Sequence, residues 1–357
     1  MASRGLAYNV LRGAPQAMPC GVMILLLGAC MRSPAPDPAA ASWERLASLQ
    51  PVVVQAAPPA IVEASDDSTT RAEFRNVDFH MTSDVVLDIR YLEGAMRSVA
   101  DGQPVVFDDK SSFVIDIDSA HVGLTPENLA NLMNGHVFSY RGAPLKKLRF
   151  AVKGGSLVQS GVLHKVVDIP FEITAALSVT DEGRIRIHPT GMKIFGVDGM
   201  GLMKALGIKL DGLLDLRKAK GVAVQGNDLL LEPDSLLPPP AIAGRVVAAR
   251  VEDGEVVQIF GRGAGGTPAS APPRPIPPLD STARNYMRFS GGTLRFGKLF
   301  MVHADMQIID EDQHDPFDFS IDDYNRQLVA GYSRNTLDGA LKVYMPDLRD
   351  TRGSLTN

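Results

Sequence analysis

Cysteine is nearly missing from this chain of 357 residues, which has Cys20 and Cys30 and no others. Two thiols cannot build a disulfide framework or a four-sulfur metal site, and if Cys20 leaves with a cleaved signal no pair remains to oxidise. Also missing is an apolar run able to span a bilayer: Gly21 to Ala29, GVMILLLGA, is well short of the ~20 residues a crossing helix needs. There is no run of lysines or arginines, and the formal charge is −5, so the composition argues against nucleic acid as a partner. Catalytic spacing is scarce too. The seven histidines, His80, His121, His136, His164, His188, His303 and His314, include no H-E-x-x-H pair, and no serine sits in G-x-S-x-G or S-x-x-K. A triad assembled from distant segments leaves no such trace, so these absences weaken a hydrolase reading without removing it.

What is present begins with Arg4 and Arg12 ahead of the apolar run, the arrangement of a secretory signal rather than a membrane anchor. The run ends in Leu27-Gly28-Ala29-Cys30, which resembles the lipobox of bacterial lipoproteins. That resemblance implies cleavage after Ala29, acylation of Cys30 and the membrane as a partner. The other reading keeps Cys30 as an ordinary cysteine in a signal cut elsewhere. Met31 stands where an aspartate signals inner-membrane retention, which favours a periplasm-facing outer-membrane location in a host with two membranes. Two or three acyl chains hold a protein firmly where one binds marginally. Loss of residues 1–29 removes two arginines and no acid, so the charge becomes −7. Residues 30–70, rich in Ala, Pro and Ser, read as a disordered tether with a root-mean-square span of about 35 Å. Within it, Ser42 to Val54 has the alternative of a short helix.

From Phe74 onward, period-two alternation dominates, the signature of strands with one buried face. Val77, Phe79 and Met81 alternate with polar neighbours, as do Val85, Leu87, Ile89 and Tyr91, then Phe113, Ile115 and Ile117. LTPENLANLMNG breaks the pattern: Thr125 caps, Pro126 opens a helix, Leu129, Leu132 and Met133 share a face and Gly135 ends it. Hairpins are expected at Gly154-Gly155 and Asp253-Gly254. The segment DIPFEITAALSV puts Ile169, Phe171, Ile173, Ala175, Leu177 and Val179 on one side. A second helix is expected in GMGLMKALGIKLDGLLDL, weakened by Gly207. Residues 262–280 read as a Pro/Gly-rich linker or loop. The β-rich segment 281–357, in which Leu294, Phe296, Phe300, Val302, Ala304, Met306 and Ile308 alternate, either completes the same sheet or stands alone.

Two motifs tempt a chemical reading. Gly261, Gly263 and Gly266 satisfy G-x-G-x-x-G after a strand, but the TPASAPPRPIPP that follows cannot form the helix whose N-terminus would hold a pyrophosphate. The acidic run with Asp310, Asp312, Asp315, Asp318, Asp322 and Asp323 departs from calcium-loop spacing and reads as a solvated loop. No cofactor or metal site is expected.

LTPENLANLMN, LKKLRFAVKGGSLVQSGVL, VDIPFEITAALSVTDEGRIRIHPTGMKIFG and GLMKALGIKLDGLLDL together resemble the LmeA-like lipid-binding domains of the tubular lipid-binding (TULIP) superfamily. The match runs over roughly Val77 to Gly261 within a domain spanning 71–261; the lipoprotein signal and the tail after Tyr286 depart from it. The resemblance implies an α+β, mostly β fold: a long curved antiparallel sheet wrapped around one or two helices, with a groove for phospholipid or a similar amphiphile. Such a groove does not require a polar constellation. Candidate lining residues are Ile169, Phe171, Ile173 and Leu177, with Leu202, Met203 and Leu206 opposite. The expectation is therefore an anchored, non-enzymatic protein that binds lipid, with transfer between membranes as an extension of that role. Its rivals are a scaffold lipoprotein whose apolar faces fill a core and, behind it, an envelope hydrolase.

Overall fold

The computed structural model describes residues 69–164, 167–201, 209–210, 216–261 and 276–353. In chain order the elements are β1 (Thr69–His80), β2 (Val86–Ser98), β3 (Val105–Val106), β4 (Phe113–Leu124), α1 (Pro126–Leu132), β5 (Leu145–Lys153) and β6 (Ser156–His164). Next come β7 (Asp168–Val179), β8 (Ile185–Ile194), β9 (Val197–Asp198), β10 (Val222–Gln225), β11 (Asp228–Leu231), α2 (Pro233–Leu236), β12 (Ala241–Ala243), β13 (Val246–Glu252) and β14 (Glu255–Phe260). The carboxy-terminal part holds β15 (Tyr286–Ser290), β16 (Thr293–Phe296), β17 (Leu299–Val302), β18 (Asp305–Asp310), β19 (Phe317–Ser320), α3 (Tyr324–Ala330), β20 (Tyr332–Asn335) and β21 (Leu341–Met345).

The fold is α+β and mostly β, built on large and predominantly antiparallel sheets. Eleven strands form the first, in the order β13-β14-β4-β2-β1-β15-β18-β21-β20, with β12 beside β4 and β19 beside β1. The second is β10-β11-β8-β7-β6-β5, with β9 beside β8; a small third sheet is β17-β16-β3. None of these paths closes on itself. The sheets are not purely antiparallel, because β12, β19, β21 and β16 each pair in parallel with β4, β1, β18 and β3.

The switch in β1 has a local cause. One edge of β1 pairs with β2 along its whole length. The other edge pairs with β15 over Arg71–Arg75 and then, in parallel, with β19 over Val77–His80. Between these stretches Asn76 adopts φ 53°, a left-handed conformation that asparagine tolerates better than most residues. Its Nδ2 donates to Asn285 Oδ1 at 2.8 Å, tying the turn to the start of β15. The tail after Tyr286 is thereby built into the same sheet. Residues just before it are packed as well: Ile276 is buried, Arg288 Nε donates to Pro277 O at 3.2 Å, and Asp280 N donates to Gln307 Oε1 at 2.8 Å. Residues 276–280, within the stretch read as a linker or loop, are thus a packed loop. At the other boundary, β1 begins at Thr69, inside the span read as tether.

The end of the core nearest the tail is rich in buried aromatic rings. Phe74, Phe107, Phe113, Phe289, Phe296, Phe317, Phe319 and Tyr324 are all fully buried, with Phe107 in ring contact with Phe113, Phe289, Phe296, Phe319 and Tyr324. Helix α1 starts as expected, with Thr125 accepting from Asn128 N. It does not stop at Gly135. A π turn, Met133–Val137, carries it on, with Phe138 N donating to Met133 O. Asn134 explains the widened turn: its Nδ2 donates to Ala130 O and Leu148 O, and its Oδ1 accepts from Leu148 N, docking the turn on β5. In β17, Phe300 and Val302 are exposed rather than inward, and Met301 packs on the core instead. The Gly297-Lys298 turn reverses the alternation there.

Candidate functional site

Along the seven-stranded sheet the inward face is apolar but not sealed. In β7, Ile169, Phe171, Ile173 and Leu177 are only half-buried, whereas Val77 and Phe79 of β1 are 0% and 3% exposed. The neighbouring strands reach the same side by different routes. In β6 the inward residues are Leu157, Gln159, Gly161 and Leu163, which pair with Ala175, Ile173, Phe171 and Ile169. A Cβ at Gly161 would meet Leu148 Cδ2 at 2.8 Å and Phe171 Cζ at 3.3 Å, so glycine makes room for that ring. In β8 a bulge at Thr190 shifts the register between Thr174↔Gly191 and Ala175↔Pro189. A bulge reverses which side later residues face. Ile187 and Pro189 before it, and Met192 and Ile194 after it, consequently all face the same cavity.

Three apolar cavities lie in a row behind this face. The outer one, about 60 Å³, is bordered by Leu163, Ile169, Phe171, Ile173, Met192 and Ile194, together with Gln159 and Leu210. A middle one of about 30 Å³ lies between Leu129 and Leu132 of α1, Leu157, Leu177 and Ile185. An inner one of about 30 Å³ is bordered by Phe79, Ile115, Val122, Ile242 and Phe260 of the eleven-stranded sheet and its neighbours. Ile187 borders both the outer and middle cavities, and Leu237 and Gln258 border both the middle and inner ones. The three thus form one line of voids from one large sheet to the other. Among the described residues, none around any of them is charged.

The outer cavity adjoins an exposed apolar tip. Val167, Phe195 and Val197 are 61%, 65% and 62% exposed, and Phe195 N donates to Pro170 O at 3.2 Å. These residues flank Ile169 and Ile194. Asp168 at the same tip is held below the usual carboxylate range, first by the His164 hydrogen bond and also by the charges of His164, Lys146 and Lys147.

Of the sequence candidates, Ile169, Phe171 and Ile173 border the outer cavity and Leu177 the middle one. Leu202, Met203, Leu206 and Cys30 lie outside the described residues, as does most of the G-x-G-x-x-G stretch. Just before the first three, Gly199–Gly201 are helical, and Asp198 Oδ1 accepts from Met200 N at 3.1 Å and Gly201 N at 3.2 Å. Sequence reasoning missed Met192 and Ile194, hidden by the bulge, and the two inward glutamines. A signal existed for the glutamines: each interrupts an otherwise apolar alternating stripe, Leu157-x-Gln159 and Val256-x-Gln258-x-Phe260.

Ionisable groups with altered affinity for protons lie elsewhere. Burial, and then repulsion from Asp88, raises Asp78 to about 6 and Glu255 to about 7. Burial raises Asp310 to about 7. The acidic run is not simply a solvated loop: Asp310 is buried and accepts from Asn285 Nδ2 at 3.2 Å, Asp318 lies in β19, and Asp315 pairs with Arg349. Among the described residues no group of three or more His, Cys, Asp or Glu side chains is arranged to hold a metal ion. His80, His164, His188 and His314 each meet an aspartate within 2.7 Å. In none of these four pairs does a serine hydroxyl bond the imidazole among the described residues. A wider recess of about 680 Å³ mixes Ser98, Ser112, Arg295 and Lys298 with Val99 and Phe300 at the surface. No protein-family model, curated protein or solved structure matches this chain.

Proposed function

We propose that this protein is an envelope lipoprotein, acylated at Cys30, that takes the hydrocarbon part of a phospholipid or similar amphiphile into the passage behind the seven-stranded sheet. The observation that carries the reading is the row of three uncharged voids behind a half-buried apolar wall, beginning beside the exposed tip of Val167, Phe195 and Val197. Transferring about 15 methylenes from water would gain roughly 12 kcal/mol, enough to drive binding without a charged anchor. On this reading the TULIP resemblance extends to architecture, with the open sheets enclosing the hydrocarbon. The apolar tip would face the bilayer from which the lipid comes.

A specific observation favours a second reading, a scaffold lipoprotein with a filled core. The voids are small, about 60 Å³ for the outer one and about 30 Å³ for each of the other two, too little for a long acyl chain as they stand. Binding then requires the walls to part. Solvent extraction of the full chain purified from its membrane, followed by mass spectrometry, separates the readings. The carrier reading expects an acyl lipid in near-stoichiometric amount that survives detergent exchange; an extract without lipid, together with no uptake of added phospholipid, would leave the scaffold.

A further inference from the structure

Gln159 and Gln258 are misplaced for ordinary core residues. They are 7% and 9% exposed, and each lies on the inward stripe of its strand. Gln159 pairs across the sheet with Phe150 and Ile173, and Gln258 with Ala249 and Val122. Among the described residues neither side-chain amide has a hydrogen-bond partner. Gln159 borders the outer void; Gln258 borders both inner ones. Neither glutamine is among the described side chains whose polar atoms are both shut off from solvent and unpaired, so each amide reaches space that another donor or acceptor can enter. Two in one passage, each facing space rather than a neighbour, are donors and acceptors left for something that occupies the space.

We propose that the passage selects long-chain lipids carrying uncharged oxygen functions, ester carbonyls above all, and that Gln159 and Gln258 hydrogen-bond them at two depths. The inference rests on the lipid-binding reading and narrows its ligand class. An amide NH₂ donates to an ester carbonyl, and the amide oxygen accepts from a hydroxyl. Neither can neutralise a carboxylate or phosphate, and among the described residues no cation borders any of the three voids. An ionised group taken into them would be desolvated without a counter-charge. Charged headgroups therefore stay at the tip, while the esterified part goes in. A plain alkane fills the space but leaves both amides unpaired.

The test uses displacement of the fluorescent probe N-phenyl-1-naphthylamine from the full chain by methyl palmitate, palmitate at pH 8 and hexadecane. Comparing the ester-to-alkane ratio between variants cancels the ligands' different solubilities. Wild type is expected to favour methyl palmitate over hexadecane by about tenfold or more, the worth of one hydrogen bond that would otherwise be unmade, and to take palmitate weakly. Q159L/Q258L, of nearly unchanged volume, is expected to bind hexadecane at least as well and to lose most of the ester preference; each single variant loses part. Urea unfolding of the same variants supplies the control for folding. An ester preference that survives in Q159L/Q258L, or equal binding of ester and alkane by wild type, would overturn the proposal while leaving lipid binding intact. Failure of wild type to bind the probe or any of the three ligands would instead sink the reading on which it rests.

Discussion

Alanine at Phe171 and alanine at Phe289 should cost this protein very different amounts. Phe289 is fully buried, with ring neighbours Phe74 at 5.9 Å and Phe107 at 6.0 Å. Its truncation opens a cavity among buried aromatic rings, and such changes cost about 3–5 kcal/mol. Phe171 is half-buried and already borders a void of about 60 Å³. Removing its ring forfeits roughly half of an aromatic side chain's burial, about 1–1.5 kcal/mol, and merges the space with a cavity that exists. With a urea dependence of about 3 kcal/mol per M, F171A should lower the unfolding midpoint by roughly 0.4 M and F289A by more than 1 M. The assay is equilibrium unfolding followed by the near-ultraviolet signal, with uptake of the naphthylamine probe measured on the folded variants. F171A should stay folded and bind the probe with changed affinity. A loss for F171A as large as that for F289A would mean that Phe171 is a core residue, and the wall it belongs to would no longer be a candidate for holding a ligand.

The buried carboxyls predict a protein more stable in mild acid than at neutral pH. Asp78 is raised to about 6, and Glu255 and Asp310 to about 7, so each binds its proton more tightly folded than unfolded. Their stabilisation is full below the unfolded value near 4 and is lost as pH climbs through 6 and 7. Asp280, held at about 2 chiefly by its Thr282 hydrogen bond, acts in the window between about 2 and 4 and leaves that slope alone. Urea midpoints should fall from pH 5 to pH 8, and D310N should flatten the fall; a midpoint that rises over this range would refute the assignment. At Gly94 a Cβ would stand 2.2 Å from Asp116 O, so G94A should cost about 3 kcal/mol or more. G102A changes only a left-handed residue with open space around it and should cost about 1–2 kcal/mol in the same titration. C30S should abolish palmitate labelling and release the chain from the membrane fraction, whereas retention there would refute acylation at that residue.

Much of the scaffold was legible where one physical rule acts alone. The hairpins at Gly154-Gly155 and Asp253-Gly254 turn with φ of 53° and 78°, and 52° and 88°, the left-handed pair that a two-residue turn demands. Thr125 and Pro126 announce α1 because capping is local. Legibility failed where a distant contact decides. The inward face of β8 cannot be followed past Pro189, since the bulge at Thr190 exists only against β7. The second edge of β1 is shared between β15 and the parallel β19, both far from β1 in sequence; no alternation pattern reports that. Gly135 looks like a helix stop until Asn134 finds Leu148. Behind the seven-stranded sheet, the apolar side of β7 was readable by parity, and Gln159 and Gln258 were visible as interruptions. Nothing in one sequence says whether an interrupted stripe faces a neighbour or a void.

The small size of the three voids bears on how a ligand would arrive. Close packing stabilises the empty passage, because every methyl that leaves a contact loses dispersion and burial together. A groove standing open to water would expose a large apolar patch, which monomeric proteins rarely tolerate. A carrier that closes when empty and parts when loaded avoids that exposure. If the proposed passage must open before an acyl chain can occupy it, the opening rate limits uptake once lipid is abundant. Stopped-flow mixing with excess short-chain phospholipid below its micellar concentration should give a rate that rises and then levels off. Replacing Ile187, which stands between the outer and middle voids, by valine should raise the plateau, since the smaller side chain holds the two walls together less tightly. A rate that climbs linearly without limit in both proteins would mean that the lipid meets an already open surface, and the closed row of voids would have no part in binding.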